Sequence, residues 1–200
     1  TVWEAAEIEL IESRGRKFDK AVRDQFIGMR LDEFFHKLRE AFQLEDSIEL
    51  LSAELIGNML DLIPTRALPM PGVSELLEYI VQAKIPCAIA SSSPQTIIEC
   101  VVSSRGWLEV FPLRVTADIV AAGKPAPDVY LETARQLGVL PENCLALEDS
   151  PNGARAAVAA GMVCYAVADK RHMRDDAFDG ITEYIFHSLH DVLAELQSEN

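Results

Sequence analysis

Between Cys144 and Gly153 the chain reads CLALEDSPNG, and no other stretch constrains the fold as much. A short apolar run ends in two adjacent carboxylates, Glu148 and Asp149, and is followed by Ser-Pro-Asn-Gly and the small-residue helical pattern ARAAVAAGM. The pattern predicts a buried strand, a turn and a helix. An unbroken apolar strand suits a parallel sheet covered on both faces, and ligands of such sheets bind beyond the carboxyl ends of the strands. Two carboxylates about 4 Å apart repel by roughly 4 kcal/mol at an effective dielectric near 20, so the pair calls for a cation, a proton or open solvent. A hard divalent cation such as Mg²⁺, held by one or two carboxylates and phosphate oxygens, meets that need. The plainer alternative is a solvated acidic loop in which Asp149 or Ser150 caps the next helix.

The rest of the chain divides into two patterns. Up to residue 63 it is helical, with segments expected from Val2 to the stop at Gly15 and over 20–27, 31–42 and 47–63. Val2, Ala5, Ile8 and Ile11 keep helical spacing in the first; Leu31, Phe34, Phe35, Leu38 and Phe42 share a face of the third. Four short-looped helices make a small bundle. Prolines 64, 69 and 71 with Gly72 are then expected to end the helices and form a linker. Beyond it helices alternate with short apolar strands, expected at 86–90, 113–117, 144–148, 162–166 and 184–186. That alternation predicts a doubly wound, Rossmann-like α/β core with a parallel sheet. The expected division is a helical cap over residues 1–66 and an α/β core over 67–200.

Composition narrows the partners. With 200 residues and a formal net charge of −14, the chain opposes binding to a polyphosphate backbone, and no basic stripe interrupts its acidity. No apolar run reaches the length of a membrane span and no signal-peptide pattern opens the chain, so a cytoplasmic monomer without nucleic-acid or membrane partners is expected. Cys87, Cys100, Cys144 and Cys164 are scattered singly and read as reduced packing residues rather than metal ligands.

Three loops should meet at one edge of a parallel sheet. SSSPQ offers the hydroxyls and backbone N–H groups of Ser91, Ser92 and Ser93 just before a helix, an anion site or an ordinary helix cap. AAGKPAPD holds Lys124 between Gly123 and Pro125, where one positive charge can meet a phosphate oxygen. The third is the acidic pair. Hydroxyl, lysine and acids follow successive strands in that order.

These loops, quoted as CAIASSSP, GKPAPDVY and LALEDSPNGARAAVAAGM, resemble those of the haloacid dehalogenase superfamily, in the helical-cap branch that includes sugar-phosphate phosphatases and β-phosphoglucomutase. The resemblance covers nearly the whole chain. It implies that Ser91 and the Ser92 backbone hold a transferring phosphoryl group, that Lys124 binds and stabilises it, and that Glu148 and Asp149 hold Mg²⁺. The helical segment from Val2 to Ile63 resembles the cap that excludes water and reads the leaving group. Arg30, in FIGMRLDEF, is where related caps present residues to the site; it is equally a surface arginine at a helix start.

The implied reaction is Mg²⁺-dependent hydrolysis of a small phosphomonoester, a sugar phosphate, through an aspartyl phosphate. One departure bears on it. The family's nucleophile is the first Asp of an Asp-x-Asp motif on a central strand directly before the cap, and Thr1 resembles the residue after that motif. None of the residues present takes the nucleophile's role; the expectation is a longer protein with that strand between the Ser91 and Glu148 strands. The alternatives are a β-phosphoglucomutase-like phosphotransferase and, for a complete chain, a noncatalytic phospholigand-binding protein.

Overall fold

The computed structural model describes residues 1–26, 29, 31–167 and 176–198. Helix α1 (Val2–Glu12) starts at Thr1, whose hydroxyl accepts from the Glu4 N–H. Its buried face carries Ala6, Glu7, Leu10 and Ile11, with Val2 and Trp3 packed beside it; of the Val2, Ala5, Ile8 and Ile11 row that apolar spacing suggests, only Ile11 is fully buried. A glutamate on the inner face disguised its phase. Helix α2 (Lys20–Arg23), capped by Asp19, passes into a 3₁₀ turn over Asp24–Phe26. Helices α3 (Leu31–Phe42) and α4 (Ile48–Arg66) complete the bundle, their apolar faces meeting at Phe35, Leu38, Leu51 and Leu55.

Pro64 does not end α4, which continues to Arg66. Proline removes the N–H that would bond the carbonyl four residues back. That carbonyl, on Leu60, instead faces the Cys100 Sγ at 3.9 Å, while an Arg105 Nη2 donates to Ile63 O at 3.3 Å. The Cys100 thiol stands where the lost N–H would have been, and Arg105 adds a bond at the helix end.

The remaining elements alternate. In order they are α5 (Val73–Gln82), β1 (Ala88–Ser91), α6 (Gln95–Ser104), β2 (Leu113–Thr116), α7 (Asp128–Leu137), β3 (Leu145–Glu148), α8 (Pro151–Ala159), β4 (Val163–Val167), β5 (Tyr184–Phe186) and α9 (Leu189–Ser198). All pairings are parallel: β1 with β2, Ser91 opposite Thr116, and β4 between β3 and β5, Glu148 opposite Ala166. This is the doubly wound α/β arrangement, and among the described residues its strands form two sheets, β1-β2 and β3-β4-β5. Gly72 enters α5 with φ +88°, and a Cβ there would stand 2.8 Å from His190 N, so only glycine lets the α9 start approach this closely.

Packing follows three clusters. One fills the bundle and takes in Ile97, Cys100 and Val101 from α6. A second joins α7 and α8 to the sheets through Val115, Val129, Ala146 and Ala157. The third seats α5 and α9 around Tyr165 and Val167. No helix among the described residues is long and apolar enough to cross a membrane.

Candidate active site

A cavity of about 430 Å³ lies where the bundle faces the carboxyl ends of β1 and β3. Ser91, Ser92, Ser93, Lys124, Glu148 and Asp149 all line it, so the three loops singled out in the sequence converge. Arg30 lies outside the described residues.

The serine loop turns tightly off β1. Ser91 Oγ accepts from the Ser93 N–H at 3.0 Å, and Thr116 donates its hydroxyl to Ser93 O at 2.8 Å. Helix α6 starts two residues later, at Gln95, so its unpaired N–H groups and positive dipole end stand behind the loop. Thr116, on the partner strand, was not singled out in the sequence. An apolar strand ending in threonine gave no reason to choose it.

Lys124 is buried and spans the two sheets. Its Nζ donates to Ala90 O on β1 at 3.1 Å and to Glu148 Oε1 on β3 at 2.5 Å. Both charges are nearly sealed from water, the side chains being 8% and 6% exposed. Tyr130, from α7, donates its hydroxyl to the same Glu148 oxygen, and its ring lies 4.8 Å from the ammonium. Burial first, then the Glu148 charge, pushes the Tyr130 phenol far above its ordinary range, so it remains a donor. Tyr130 ends the GKPAPDVY stretch; only helical spacing in α7, which turns it inward beside Lys124, could have marked it.

Glu148 is held from its other side by Ser150, whose hydroxyl donates to Oε2 at 3.1 Å and accepts from the Gly153 N–H at 3.0 Å. Ser150 is thus the helix cap. Asp149 is exposed at its edge. Mg²⁺ binds through one or two carboxylates, water and phosphate oxygens rather than an all-protein cage. The Asp149 carboxylate beside Glu148 fits that donor set, although Glu148 is in this state committed to Lys124, Tyr130 and Ser150. Among the described residues no group of three or more His, Cys, Asp or Glu side chains placed to hold a metal forms, here or elsewhere.

All four cysteines are free, and only Cys164 is fully buried. Burial, and next the Glu148 carboxylate, push its thiol up to about 12. At pH 8 Cys164 is therefore expected to be the slowest of the four to react with iodoacetamide, its labelling catching up only on denaturation. Peptide mass mapping against time checks this, and early labelling of Cys164 would contradict the buried site.

The geometry is that of a helical bundle set over serine, lysine and acidic loops at the carboxyl edges of the parallel strands of a doubly wound α/β core. The model of the haloacid dehalogenase-like hydrolases matches residues 3–161, and the chain belongs to that family. It is 31% identical over 168 residues to a Drosophila melanogaster protein described as a probable pseudouridine-5'-phosphatase, covering 81% of this chain and 72% of that one. With the phosphorylated carbohydrates phosphatase of Thermotoga maritima the identity is 30% over 151 residues, 76% of this chain and 70% of the relative. The crystal structure of CbbY from Rhodobacter sphaeroides in complex with phosphate superposes with a TM-score of 0.85 at 25% identity, covering 98% of this chain and 92% of that one.

Proposed function

We propose that the chain serves Mg²⁺-dependent hydrolysis of a small phosphomonoester, a sugar phosphate, through an aspartyl phosphate as the family resemblance implies. The observation that carries this reading is the convergence of Ser91, Lys124, Glu148 and Asp149 on one cavity. The Ser91 hydroxyl and the amides of the turn donate to the phosphoryl oxygens. Lys124 shares its charge between Glu148 and the phosphate, stabilising negative charge as it builds on the transferring group. Asp149, with Glu148, would hold Mg²⁺, which supplies further charge neutralisation on the same oxygens. The bundle wall excludes water and receives the leaving group. None of the 200 residues is assigned the nucleophile's part. Relatives named as phosphatases of pseudouridine 5'-phosphate and of phosphorylated carbohydrates support the substrate class.

The test is phosphate release from a panel of sugar phosphates at increasing Mg²⁺, measured on a protein that carries this chain together with a strand bearing the family's Asp-x-Asp motif. Release should depend on the metal, stop with EDTA, and fall by roughly 10²–10³-fold in Asp149→Ala, the scale of losing one preorganised charge stabiliser. Near-normal, metal-independent turnover in that variant would sink the assignment.

A further inference from the structure

Among the described residues, the wall that the bundle turns toward the cavity is apolar except at one place. Trp3, Phe26, Met29 and Phe34 line it, and among them stand Glu7 and Arg23. The two side chains are 1% and 13% exposed. Arg23 grips Glu7 with two parallel bonds, Nε to Oε2 at 2.5 Å and Nη2 to Oε1 at 3.0 Å. Its Nη1 lies 3.8 Å from Asp24 Oδ1, beyond hydrogen-bond reach.

Fold stability is a poor reason for such a pair. Desolvating two charges costs about as much as their attraction returns, and apolar residues of similar volume do as well or better. Its position offers another reason. An arginine carries five N–H donors in a planar fork, and two of them satisfy Glu7 here. The fork's remaining donors and the carboxylate's remaining lone pairs form a neutral, rigid unit that both donates and accepts. Adjacent hydroxyl groups have that same double character. A second phosphate does not, and it would find the arginine's charge already cancelled. The surrounding aromatic faces suit the C–H surface of a short carbon chain.

We propose that Glu7 and Arg23 are the element that reads hydroxyl groups on the leaving group, selecting a phosphomonoester whose leaving group is uncharged and polyhydroxylated over one of equal length without hydroxyls. This inference rests on the phosphoryl seat at Ser91 and Lys124 argued above. The pair was invisible to sequence reading because Glu7 passes for a surface residue of α1 and Arg23 for a helix-end cation.

Calorimetric titration of the chain in EDTA, with sorbitol 6-phosphate, n-hexyl phosphate and inorganic phosphate as probes, tests it. The wild-type chain should bind sorbitol 6-phosphate at least 10-fold more tightly than n-hexyl phosphate, the gain of a few well-placed hydrogen bonds. In the volume-conserving double variant Glu7→Leu with Arg23→Met the ratio should fall to near one. In Arg23→Lys, which keeps the charge and loses the fork, it should fall several-fold and keep the inference testable if the double variant does not fold. A wild-type ratio near one, or a ratio unchanged in both variants, overturns the inference while phosphate binding upholds the seat. Absence of binding by all three probes overturns the seat, and the inference with it.

Discussion

Lys124→Ala should produce the largest loss this site can suffer, in two measurable quantities at once. Its ammonium is the positive charge shared between β1 and β3, bonded to Ala90 O and Glu148. Removing it leaves the Glu148 carboxylate buried without its counter-charge. Breaking one side of such a pair typically costs roughly 3–5 kcal/mol, which for a domain of this size lowers the melting midpoint by roughly 6–20 °C. Turnover should fall by roughly 10²–10³-fold, the scale of losing a preorganised charge stabiliser. The double replacement Lys124→Met with Glu148→Leu separates the two effects. It should recover most of the stability, because neither charge is left orphaned, and none of the turnover. Thermal melts and phosphate release on the three proteins decide the matter; an unchanged midpoint in Lys124→Ala would mean the pair is idle in the fold.

Gly153→Ala is the second test, and its sign runs against backbone expectation. Glycine in a helix normally gains up to about 1 kcal/mol on becoming alanine. Gly153 lies in the first turn of α8, and a Cβ there would fall on the Glu148 carboxyl group. That carboxyl cannot retreat easily, because Lys124, Tyr130 and Ser150 all hold it. Overpacking of this kind costs about 1–3 kcal/mol. The variant should therefore be destabilised in urea denaturation and should bind inorganic phosphate more weakly, since displacing Glu148 also shifts Lys124. Adding Glu148→Asp, which shortens the side chain, should restore stability in part. A stabilised Gly153→Ala would contradict the packing described here.

Both predictions concern residues whose local sequence made them conspicuous. Strands ending in serine or in two acids, and a lysine between Gly and Pro, could be read because loops following parallel strands share an edge whatever the details of packing. Element boundaries in the α/β part came within a residue or two for the same reason: short apolar runs between helical patterns leave little choice. Other features were set by contacts distant in sequence. The phase of α1 was misread because its inner face carries Glu7, which is tolerable there only beside Arg23 sixteen positions on. Pro64 was expected to end α4, but the helix continues, with the Cys100 thiol at the Leu60 carbonyl that the proline leaves without an N–H and Arg105 on Ile63 O. Tyr130 had only its helical spacing from the lysine loop to mark it. Its significance comes from the buried carboxylate it meets, and the residues facing each other across a cavity cannot be read from either wall alone.

The packing of α6 has a consequence for anyone who would exchange caps between relatives. Chain order suggests cutting at the prolines, yet Ile97 is part of the bundle's core, Cys100 and Val101 pack against it, and Arg105 fastens the end of α4. A foreign cap joined at that linker would arrive without the surface it was shaped against. A workable chimera must carry the outward face of α6 along with the bundle, so the transplantable unit is discontinuous: two stretches of sequence, one on either side of β1.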